Sequence, residues 1–136
     1  REAIDRARAG TRLLAVTVLT SLGPEEFERV AGRGGRGLRE SVLALARLAM
    51  EAGAHGCVAS ALEVADLRDA LGPGPPLVVP GIRPAWSTAD HAGQARMASP
   101  ADAIRAGATH LVLGRAVTGA GNPLAALRRI REEIAA

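Results

Sequence analysis

The sequence contains no lysine: all 17 of its basic residues are arginine. A chain without a side-chain amine performs no Schiff-base chemistry and offers no lysine as a catalytic acid. Cysteine is nearly absent too. Cys57 stands alone, which excludes an internal disulfide and a multi-cysteine zinc site and fits a reducing cytoplasm. Aromatic residues make up 1% of the chain, so base-stacking side chains are scarce. The net charge is only +3, with the arginines scattered among 14 acids, and no nucleic-acid partner is expected. Long apolar runs are missing. The longest, Leu13 to Leu19, contains Thr17 and falls far short of the roughly 18 residues of a membrane span. The start is charged (Arg1, Glu2, Asp5, Arg6, Arg8), so no signal peptide is read there and a cytoplasmic protein is expected. His55, His91 and His110 lack metal-ligand spacing.

What is present is the material of a folded core: 48% hydrophobic residues against 23% charged, with 16 glycines and 8 prolines as punctuation. Residues 1–136 read as a single domain. Residues 1–9 read as the end of a helix stopped by Gly10. Leu13–Leu19 is short, apolar and β-branched, the pattern of a buried strand. Pro24-Glu25-Glu26 opens a short helix with acids in its first turn. Val42, Leu45, Ala46, Ala49 and Met50 form an apolar stripe at helical spacing, which predicts a helix over 38–51. A strand at 57–59, a helix at 61–71 and a strand at 77–79 follow. Residues 82–98 are irregular, polar and long for a connection, as functional loops often are. Ser99-Pro100-Ala101-Asp102 has the cap, proline and acid of a helix start. A fourth strand is expected at 110–113, and a last helix from Asn122-Pro123 to about Ala135.

Strands alternating with helices indicate a parallel sheet. Four βα units are about half of a (β/α)8 barrel, which takes about 250 residues. An open, flavodoxin-like sheet is the other arrangement. The opening helix has no strand before it, so the chain is expected to be a piece of a longer one.

In barrels the chemistry lies just after the strands. Those places hold Thr20 and Ser21, then Ser60, then Pro80-Gly81-Ile82-Arg83, then Gly114-Arg115. Gly114 lets the backbone approach an anion, and Arg115 offers a bidentate fork to phosphate oxygens. The structural alternatives are plain. Arg83 and Arg115 could form surface ion pairs, and Thr20, Ser21 and Ser60 could cap helices. Cys57 fits a small core position, and Arg128, Arg129 and Arg131 a solvated helix face.

Val16–Ser21 (VTVLTS), Val78–Pro84 (VVPGIRP), Gln94 ahead of RMASP, and Leu111–Thr118 (LVLGRAVT) occur in one order. Together they resemble the C-terminal half of bacterial orotidine 5′-phosphate decarboxylase. The resemblance implies an α/β fold: the C-terminal half, (βα)4, of a TIM (β/α)8 barrel with parallel strands. It implies decarboxylation of orotidine 5′-phosphate to UMP in pyrimidine biosynthesis, with no cofactor and no metal. Thr20 would touch the pyrimidine side. Arg83, Gln94, Gly114 and Arg115 would gather around the phosphate, with a lid loop at about 83–97. Binding energy on a remote dianion can hold such a lid shut.

The family's D-x-K-x-x-D array is absent, so no catalytic residue is assigned and the isolated chain is expected to be inactive. Its expected partners are the missing N-terminal half of the barrel and a second subunit in a homodimer. Two other readings remain: a non-catalytic phosphate-binding or assembly module, and another phosphosugar decarboxylase of the same barrel superfamily.

Overall fold

The computed structural model describes residues 2, 10–32, 35–87 and 96–136. The helix end read at 1–9 falls, Glu2 apart, outside the described residues. Four strands form the sheet: β1 (Leu14–Val16), β2 (Gly56–Val58), β3 (Leu77–Val79) and β4 (His110–Leu111). Between and after them run α1 (Pro24–Ala31), α2 (Leu38–Glu51), α3 (Val64–Leu71), α4 (Pro100–Arg105), α5 (Arg115–Thr118) and α6 (Pro123–Ala135). A 3-10 turn, Ala61–Glu63, leads into α3. α4 and α6 begin at residues whose side chains provide an acceptor. Ser99 Oγ accepts from Asp102 N at 3.1 Å, and Asn122 Oδ1 from Ala125 N at 3.0 Å. α1 is capped by Gly23, whose N–H donates to Glu26 Oε2 at 3.2 Å, so neither Thr20 nor Ser21 is its cap.

All the strands are parallel, and their spatial order is β1-β2-β3-β4. This order decides between the two candidate architectures. A flavodoxin-like sheet reverses its strand order at a switch point. Here each strand is laid beside the last in one direction, as in a barrel wall.

The register puts Ala15, Cys57 and Leu77 in one row and Val16, Val58, Val78 and His110 in the next. Successive rows face opposite sides. Cys57, Leu77 and Val79 are buried against Val42 and Ala46 of α2, Val64 and Leu67 of α3, and Ala103 of α4. The opposite face is open: Val16 is 58% exposed, and His110 is exposed. The expectation that the first strand is buried on both sides is therefore corrected. The described helices pack on one side of the sheet, and no described element of this chain covers the other. β1 and β4 are shorter than the runs at 13–19 and 110–113 that announced them, β2 begins one residue earlier than expected, β3 has the expected bounds, and α5 was not anticipated.

Candidate functional site

The C-terminal ends of β3 and β4 frame a cleft of about 140 Å³. β3 runs into Pro80-Gly81-Ile82-Arg83. Gly81 turns with φ of +73°, a conformation that favours glycine. The chain then extends far enough for Ile82 to pair in parallel with Ala98. Arg83 N donates to Ala98 O at 2.8 Å, and Ala98 N to Gly81 O at 3.3 Å. The segment entering α4 is thus clamped beside the segment leaving β3. On the β4 side Gly114 precedes α5, and its carbonyl accepts from Val117 N and Thr118 N. A Cβ placed on Gly114 would meet nothing within 4 Å, so the backbone is open to approach from outside.

The cleft is lined by both arginines, Arg83 and Arg115, with Met97 and Val112 as apolar walls. Among the described residues, no acidic side chain lines it. Two guanidinium groups on one concave surface attract an anion and can fork its oxygens. Of the expected site residues, Arg83, Gly114 and Arg115 are brought together. Thr20 sits half-buried in the turn after β1 and does not line this cleft. Gln94 lies outside the described residues. Ser60 caps the 3-10 turn, its Oγ accepting from Leu62 N at 3.3 Å. His55 Nδ1 accepts from Leu13 N at 3.0 Å, which places it in a turn rather than a site. Among the described residues, no three His, Cys, Asp or Glu side chains converge as metal ligands would.

Sequence reasoning missed the ion pair beneath the site. Glu63, in the 3-10 turn, meets Arg96, and the two side chains are 6% and 5% exposed. Arg96 Nη2 also donates to Leu19 O at 3.3 Å. Burial pushes the Glu63 carboxyl above its ordinary range, against the pull of Arg96 in the other direction. The signals available were an acid inside the apolar stretch after β2 and the arginine that opens the RMASP run, with nothing local to pair them.

Comparisons with known proteins bear on the family and the fold. Residues 1–130 match the orotidine 5′-phosphate decarboxylase / HUMPS family. The orotidine 5′-phosphate decarboxylase of Anaeromyxobacter dehalogenans is 51% identical over 130 residues, covering 96% of this chain and 56% of the relative. That of Gluconobacter oxydans is 49% identical over 139 residues, covering 99% and 57%. The chain therefore spans little more than half the length of these relatives. The crystal structure of the enzyme from Lactobacillus acidophilus superimposes with a TM-score of 0.75 at 35% identity, covering 98% of this chain and 55% of that one. The Pyrococcus horikoshii structure, at 22% identity and a TM-score of 0.68, shares the fold. The four βα units are thus about half of the barrel seen in these neighbours, and the chain belongs to the orotidine 5′-phosphate decarboxylase / HUMPS family.

Proposed function

We propose that the whole protein decarboxylates orotidine 5′-phosphate to UMP, and that this chain supplies the half that binds the phosphate and the pyrimidine. The observation that carries this is the cleft holding both Arg83 and Arg115, at the strand ends where a barrel places its chemistry. Arg115 and Arg83 hold the phosphate, and Gly114 lets the backbone come close. Thr20, in the turn after β1, meets the pyrimidine side. Gln94 and a closing loop at about 83–97 complete the phosphate site, a role that rests on the family resemblance alone.

Loss of CO2 breaks a carbon–carbon bond and leaves its electron pair at C6, where a proton must be delivered. This chain has no lysine to deliver it. The proton donor and its carboxylate neighbours belong to the missing half of the barrel, and the 136-residue chain alone is inactive. Binding energy on the phosphate serves the distant reaction by holding the base in place and excluding water. The whole protein works as a homodimer in the cytoplasm and needs no cofactor.

The test is Arg115→Ala in the whole protein. A charge-assisted bidentate contact contributes about 1.5–3 kcal/mol, so UMP affinity should fall roughly 10- to 150-fold. Uridine, which lacks the phosphate, should bind almost as before. Equal losses for both ligands in calorimetric titrations would remove Arg115 from the phosphate site. Tight UMP binding with no turnover would favour a non-catalytic phosphate-binding module instead.

A further inference from the structure

We propose that Arg96, held by Glu63, is a positioning residue that sets the spacing between the phosphate side and the pyrimidine side of the ligand site. The inference rests on the reading of the cleft given above.

The geometry places Arg96 between the two sides. Its Nη1 reaches Glu63 Oε1, and its Nη2 reaches the carbonyl of Leu19, the residue before Thr20. Two residues further on, Ala98 O accepts from Arg83 N at 2.8 Å, and the intervening Met97 lines the cleft. One guanidinium therefore ties the turn after β1 to the segment that frames Arg83. Glu63 anchors both to the turn after β2.

Stability is a poor reason for this pair. Taking two charges out of water costs about as much as their attraction returns, and apolar replacements of such pairs are often neutral or stabilising. Among the described residues the pair is also incompletely satisfied, since Glu63 Oε2 and Arg96 Nε are buried and find no hydrogen-bond partner there. What an apolar pair of similar size cannot do is hold the Leu19 carbonyl. That directional bond registers one side of the site against the other.

The test is the double variant Glu63→Leu/Arg96→Met in the whole protein, which removes both charges together and leaves neither one stranded. It should melt within a few degrees of the parent. Its UMP affinity should fall roughly 10- to 100-fold, the scale of loss when a site is displaced by about 1 Å. Uridine and ribose 5-phosphate each occupy one side and do not sense the spacing, so their inhibition constants should stay within about threefold of the parent's.

Unchanged UMP affinity in the folded double variant would overturn the proposal. So would equal losses for UMP and both fragments, or a collapse of the melting temperature, because either marks the pair as general scaffold. A parent protein that fails to bind UMP would instead defeat the functional reading itself, and this inference with it.

Discussion

Gly56 opens β2 where the chain leaves no room for a side chain. A Cβ there would stand 2.3 Å from the carbonyl oxygen of Pro76, the oxygen that accepts from Cys57 N at 3.0 Å. Gly56→Ala must push β2 and the segment before β3 apart and strain that bond. A destabilisation of about 1–3 kcal/mol is expected from overpacking, readable by urea unfolding. Arg68 shows the opposite device, a long side chain filling space. It donates to Gly72 O, Pro75 O and Gly107 O at 2.8–3.1 Å and stitches two βα units together.

At the start of α4, the Ser99 hydroxyl and the Arg105 guanidinium hold the Asp102 carboxyl below its ordinary range. A depressed carboxylate stabilises the fold above its unfolded-state pKa and loses that contribution as pH falls through the folded value. Asp102→Asn should therefore lower the melting temperature slightly at pH 7 and make no difference well below the ordinary aspartate range. A gap between variant and parent that widened on acidification would contradict this.

At the scale of elements, the helices α2 and α6 occupy the bounds read from the sequence, 38–51 and 123–135, because stripe and cap are local signals. Their partners are not local. Arg129 on α6 lies over the ring of Trp86 at 4.7 Å, so it is not simply part of a solvated arginine face. The contact fastens the start of the loop after Arg83 to the last helix. A cation–π pair at an exposed site contributes about 0.5–1 kcal/mol. Trp86 is the sole tryptophan, so the emission reports on the surroundings of this one ring. Arg129→Ala should shift that emission to longer wavelength with only a small loss of stability. An unchanged spectrum would show that the ring is held by other neighbours.

At the scale of the molecule, the open sheet face dominates. Leu14, Val16 and Val112 are 41%, 58% and 48% exposed, and β1 and β4 are both edges. In a closed barrel neither strand is an edge and the inner face is filled. Burying each such side chain is worth about 1.5–3 kcal/mol, and an uncovered edge invites pairing with another chain. The 136-residue chain alone should therefore self-associate, as light scattering would show. Val16→Ser with Val112→Ser should reduce the association without removing the helix-side core. A monodisperse, cooperatively melting monomer of the unaltered chain would count against this account of the face.

The sequence by itself determined the alternation of strands and helices, the caps at Ser99 and Asn122, and the glycine-arginine strand ends that became the cleft. These follow from neighbours within a turn or two of chain, where periodicity and capping are decided. Strand order was not of this kind. Whether β1 to β4 run on or reverse depends on pairing between residues about forty apart, such as Ala15 with Cys57, and either order suits the same alternation. The same holds for which face of the strands stays open, since an apolar run looks alike with one wall or two. Glu63 and Arg96 are 33 residues apart, and although Arg96 opens the RMASP run, nothing in the sequence names Glu63 as its partner. Only the folded backbone makes neighbours of them, with the Leu19 carbonyl accepting from Arg96.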